Sequence, residues 1–100
     1  MNETETKRAK YCWIITGDSI DGGRSKGVFG PYNYNSNLRQ RLNEGEGRKF
    51  RMYDDDGELY FTGLYVGDDY DLFAPLDDYG QPAAGCTSIQ YKLDGKWETI

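Results

Sequence analysis

Apolar and polar positions alternate most regularly between Arg48 and Gly67. Arg48-Lys49-Phe50-Arg51-Met52-Tyr53 and Glu58-Leu59-Tyr60-Phe61-Thr62-Gly63-Leu64-Tyr65-Val66 keep the two-residue period of strands, and Asp54-Asp55-Asp56-Gly57 between them is a turn. The pattern predicts a β-hairpin. A two-residue turn at Asp56-Gly57 pairs Tyr53 with Tyr60 and Met52 with Phe61. Phe50, Met52, Leu59, Phe61 and Tyr65 then share one face, and Arg51, Tyr53, Tyr60 and Thr62 the other. A four-residue loop from Asp55 to Glu58 gives the same register. A three-residue loop slips the pairing by one and mixes the two sets, and register follows the pairing that keeps one face apolar. The three aspartates at the tip repel one another and are expected to point into water.

The same reading extends along the chain. Tyr11 to Thr16 predicts a strand with Tyr11, Trp13 and Ile15 on one face and Cys12 and Ile14 on the other, hence covered on both sides. Gly27-Val28-Phe29-Gly30-Pro31 predicts a short strand ended by Pro31. Asn35 or Ser36 caps a short helix through Asn43 that buries Leu38 and Leu42, leaves Arg39, Gln40 and Arg41 to water, and stops at Gly45 and Gly47. Leu72-Phe73-Ala74 reads as a brief strand ended by Pro75, and Leu76 to Gly85, with two prolines nearby and two glycines, as a long loop. Cys86 to Leu93 and Lys96 to Ile100 form a second hairpin across Asp94-Gly95, with Ile89 opposite Ile100 and the Lys92 stem over the Trp97 ring. Met1 to Ala9 lacks apolar periodicity and is expected to be a flexible tail, leaving residues 10–100 as one compact domain. The predicted class is α+β, mainly an antiparallel sheet of about five strands in a small barrel-like roll with one short helix.

Composition sharpens this picture. Thirteen glycines match many turns, and nine tyrosines suit a thin core or a contact surface, since Tyr covers apolar area while keeping a polar tip. The net charge of −5 is unevenly spread. Residues 1–51 carry ten basic side chains against six acidic ones, whereas residues 52–91 carry nine acids and no Lys or Arg. An acidic segment of this kind serves either as a solubilising surface or as a patch for a basic partner. Direct nucleic-acid binding is disfavoured, because phosphate contacts need Lys and Arg clustered on one face. No apolar run approaches the roughly 20 residues of a membrane span, and no secretory apolar region precedes Cys12 or Cys86. The expectation is a cytoplasmic protein with both thiols reduced and buried as small hydrophobes. A disulfide requires that the strands place the two cysteines as neighbours.

The usual catalytic apparatus is missing. There is no histidine to act as general base or zinc ligand, no Gly-x-Ser-x-Gly elbow and no phosphate-binding glycine loop. Aligned as a calcium loop with Gly57 at position 6, Asp54 to Glu58 puts Met52 at position 1 and Gly63 at position 12, so two anchor ligands fail. No enzyme activity, cofactor, metal or small-molecule substrate is expected. Asp68, Asp69, Tyr70, Asp71, Asp77, Asp78 and Tyr79 interleave acids with aromatics, and this is the segment expected to meet a basic protein surface: tyrosines give contact area at low entropic cost, and carboxylates steer encounter.

Phe50-Arg51-Met52-Tyr53-Asp54-Asp55-Asp56-Gly57-Glu58-Leu59-Tyr60, Pro75-Leu76-Asp77-Asp78-Tyr79-Gly80 and Gly85-Cys86-Thr87-Ser88-Ile89-Gln90-Tyr91 resemble segments of small acidic proteins of bacteriophages, notably those of actinobacteria, and of related bacterial genomes. The resemblance covers most of residues 11–100 and carries no activity with it. It implies a cytoplasmic protein made in a bacterial host, with a host-directed or accessory role. The leading expectation is therefore a protein-binding module with an acidic, Tyr-containing surface. The alternative is a DNA-mimic inhibitor whose carboxylates imitate phosphates before a nucleic-acid-binding protein.

Overall fold

The alternating segments assemble into one six-stranded antiparallel sheet: β1 (Tyr11–Asp18), β2 (Phe29–Gly30), β3 (Arg48–Tyr53), β4 (Leu59–Gly67), β5 (Ser88–Leu93) and β6 (Lys96–Thr99), in spatial order β2-β1-β4-β3-β5-β6. The computed structural model describes residues 8–20, 22–68 and 71–100; the tail expected over residues 1–9 lies almost wholly outside them. The sheet is open rather than a closed roll. Its edges are β2, two residues long, and β6, four residues long. Pro31 follows β2 and has no N–H to extend a ladder, so β2 cannot lengthen enough to close a barrel.

β3 and β4 pair as the apolar face requires, with Met52 opposite Phe61 and Phe50 opposite Gly63. The tip differs. Gly57 N–H donates to the Asp54 carbonyl and Asp54 N–H to the Glu58 carbonyl, both at 3.1 Å, so the loop is the three residues Asp55-Asp56-Gly57 with Gly57 at φ 78°. Tyr53 consequently faces Leu59 instead of Tyr60, and a bulge restores the expected register by Met52. Asp54 also turns inward. Its Oδ1 accepts from the Glu58 and Asp56 N–H groups, each at 2.9 Å, and the Glu58 bond foremost holds its carboxyl below the usual range. Asp55 and Asp56 point into water as expected.

Two layers cover β1 and β4. On one face Cys12 and Val66 meet Leu42 of α1 (Ser36–Asn43), with Leu38, Ile14, Leu64 and Tyr34 around them. The Asn35 side chain caps α1 by accepting from the Asn37 N–H at 2.8 Å. Arg39 does not simply face water: its guanidinium lies 4.3 Å from the centre of the Phe29 ring. On the opposite face Trp13, Ile15, Phe50, Met52, Phe61, Tyr65, Ile89 and Tyr91 form the main core with Ala74, Leu76 and Cys86. β6 lies beyond both layers; it pairs with β5 alone and buries no side chain.

The main core is roofed by a helical segment where the sequence predicted a strand and a loop. Leu72-Phe73-Ala74 is not extended, and Leu76–Gly80 forms a π-helical turn continued by α2 (Gln81–Ala84). Prolines read as breakers sit where helices tolerate them: Pro75 precedes the first turn, and Pro82 falls in the first turn of α2. Gly80 is buried against the core, where a Cβ would fall 2.5 Å from Met52 Sδ. The second hairpin keeps its predicted register, Lys92 opposite Trp97, through Asp94 and Gly95 at φ 51° and 80°. The cation over the Trp97 ring is Arg51 at 3.9 Å, rather than Lys92.

Candidate functional site

β1 sets Tyr11 and Trp13 on the core face, two residues apart, at the end next to β2. The Trp13 indole is 3% exposed and slides beneath Gly30, where a Cβ would fall 2.6 Å from Trp13 Cζ2. Glycine at this β2 position is what lets the strand close over the ring. Pro31 and Tyr32 follow, and Tyr32 is 97% exposed, a large ring with almost no cover. From the other side the π-helical turn brings Asp78 and Tyr79. The result is an open groove of about 430 Å³ whose walls are Tyr11, Trp13, Phe29, Tyr32, Asp78 and Tyr79.

Tyr11 and Tyr79 are held from behind. Tyr11 stacks on Tyr65 with ring centres 5.7 Å apart and planes within 9°. The Tyr79 ring packs 5.5 Å from Phe61 and 6.1 Å from Trp13, and its hydroxyl lies 2.6 Å from Ser25 Oγ. Ser25 is itself buried. The groove is thus largely preformed, which limits the ordering entropy a ligand must offset.

Two polar features face into this aromatic setting. Partial burial pushes the Asp78 carboxyl above the usual carboxylate range, and the Asp71 and Asp77 charges add to the rise. The neighbouring Trp13 N–H works in the opposite direction. That N–H is buried and has no acceptor in hydrogen-bonding geometry, so its pull on Asp78 acts without a formed hydrogen bond. A buried donor left unpaired costs about 1–3 kcal/mol, and the Asp78 carboxyl, which this N–H already influences, is a group able to relieve it.

The residues expected to contact a partner separate into groups. Asp78 and Tyr79 line the groove, and Asp77 and Asp71 supply charge beside it. Asp68 is exposed at the end of β4, where its carbonyl accepts from the Tyr65 hydroxyl at 2.5 Å. Asp69 and Tyr70 lie outside the described residues. Tyr11, Trp13, Phe29 and Tyr32 were not expected at a site. The signal available for them was the aromatic density of β1 and of the irregular Tyr32 to Asn37 stretch; what was missing was the pairing of β1 with β2, which joins them.

Other chemistry is sparse. Cys12 and Cys86 are free and buried in the two opposite layers, so the sheet separates them, and burial raises both thiols to about 11. Among the described residues no three His, Cys, Asp or Glu side chains gather to hold a metal ion, and no helix is long and apolar enough to cross a membrane. No family model, curated protein or solved structure matches the chain.

Proposed function

We propose that the protein is a binding module that takes a basic segment of a partner protein into the groove between β1, β2 and the π-helical turn. The observation that carries this reading is the position of Asp78 inside an aromatic groove, with Asp71 and Asp77 close enough to raise its pKa. An aromatic centre with a charged rim is the anatomy of a protein interface, and clustered carboxylates select for a positive partner. The exposed Tyr32 ring supplies contact area of the kind that dominates such interfaces.

The test uses a flexible decapeptide of alternating Ser with Lys and Arg, against the same peptide with Gln at the basic positions. The basic peptide is expected to bind, with an association rate that falls as salt rises. In the Asp77→Asn/Asp78→Asn variant that rate drops and its salt dependence flattens, while the fold is retained. Equal binding of the Gln peptide, or an unchanged salt slope in the variant, removes the acidic segment from the site.

A further inference from the structure

Resting on the basic-segment reading, we infer that the groove is an arginine pocket: the partner's guanidinium stacks on the Tyr11, Tyr32 and Tyr79 walls while Asp78 accepts from its N–H fork. The walls are mostly aromatic, with a single carboxylate among the lining residues. An ammonium is a strongly hydrated point charge with three divergent donors, and one carboxylate cannot replace its water. A guanidinium is planar and weakly hydrated, lies flat against rings, and offers two parallel N–H groups to one carboxylate. The groove therefore suits the second cation.

The molecule already uses this contact. Among the described residues the cations seated over rings are arginines: Arg39 over Phe29 at 4.3 Å, and Arg51 over Trp97 at 3.9 Å and over Tyr53 at 5.6 Å. Phe29 is itself a wall of the groove, covered from the α1 side by Arg39. The unpaired Trp13 N–H completes the arrangement. Once a guanidinium draws Asp78 into the groove, a carboxylate oxygen comes within reach of that N–H, and the buried donor gains its acceptor as the cation gains its counter-charge. Trp13 is a positioning residue here, acting on Asp78 rather than on the ligand.

The indole N–H signals in ¹⁵N–¹H NMR give a direct readout. Trp13 reports the groove and Trp97, on the opposite face, is the internal control; Trp97→Phe assigns the two peaks. N-acetyl-arginine methylamide is expected to shift the Trp13 signal and leave Trp97 in place. The Arg-only form of the decapeptide is expected to bind roughly tenfold tighter than the Lys-only form, the scale of a desolvated cation–π contact. Asp78→Asn and Tyr32→Ala, both at exposed positions, are expected to weaken binding with unchanged melting. Equal affinity for Arg and Lys peptides overturns the arginine assignment and leaves the basic-segment reading standing. A Trp13 shift with the arginine derivative but no binding of either peptide overturns the basic-segment reading alone. A shift of Trp97 instead of Trp13, or no shift with any of these probes, overturns the pocket.

Discussion

Tyr79 and Ser25 meet hydroxyl to hydroxyl at 2.6 Å, joining the acidic π-helical turn to the loop between β1 and β2. The bond fixes the width of the groove from behind. Tyr79→Phe is expected to cost about 0.5–1.5 kcal/mol, because Ser25 Oγ loses its partner in a buried setting. Ser25→Ala added to it is expected to cost less than the sum of the two single changes, since no unpaired hydroxyl then remains. Urea denaturation of the three variants checks this; strict additivity would show that the two hydroxyls act independently.

Asp78 links groove and pH. Its pKa is raised in the fold, by burial first and then by Asp71 and Asp77. A raised carboxyl binds its proton more tightly when folded than unfolded, so its contribution to stability is most favourable at acid pH and is lost as pH rises through the folded pKa. At neutral pH the charged Asp78 therefore opposes folding. Asp78→Asn is expected to leave the melting temperature unchanged or slightly higher, while it weakens binding. Cation binding by the wild type needs the charged form, so affinity should fall as pH drops through a value above the ordinary carboxylate range. Thermal melts and peptide titrations across that range check both; a lower melting temperature for Asp78→Asn contradicts the assignment.

Trp13 and Gly30 fit against each other without slack. Trp13→Ala is expected to cost about 3–5 kcal/mol, the usual loss for a buried large aromatic. Gly30→Ala inserts a methyl group into the ring and is expected to cost about 1–3 kcal/mol by overpacking. Chemical denaturation measures both, and a cost under about 1 kcal/mol for Trp13→Ala would place that ring at the surface.

The same region shows what was readable in the sequence. Alternation gave the faces of β1, the body of the Arg48 to Gly67 hairpin and the Asn35-capped helix, because each depends on residues close in the chain. The hairpin tip departed by one residue, since Asp54 closes the loop with its own side chain and the bulge hides that slip from the core. Residues 72–84 misled because proline was weighed as a breaker without regard to its place in the first turn. The groove was half legible. Asp78 and Tyr79 stood out by charge and type, but their juxtaposition with Trp13, more than sixty positions away in the chain, is set by strand order and by the roof over the core.

Cys12 and Cys86 offer a clean check of the two layers. Burial holds both thiols up at about 11, so at neutral pH they are protonated and poorly nucleophilic. Ellman's reagent is expected to leave both unmodified in the native protein and to modify both once the chain is unfolded in urea. Rapid native modification of either one would show that its layer opens easily.

The position of β6 outside both layers sets a gradient in hydrogen exchange. Its amides bond to β5 alone, and its side chains anchor it to neither layer. Deuterium should enter β6 through brief local openings, whereas amides of β1, β3 and β4 wait for the whole domain to unfold. Protection should therefore climb stepwise from β6 through β5 to the centre. The protein would spend part of its time as a five-stranded sheet, with β5 momentarily its outer margin.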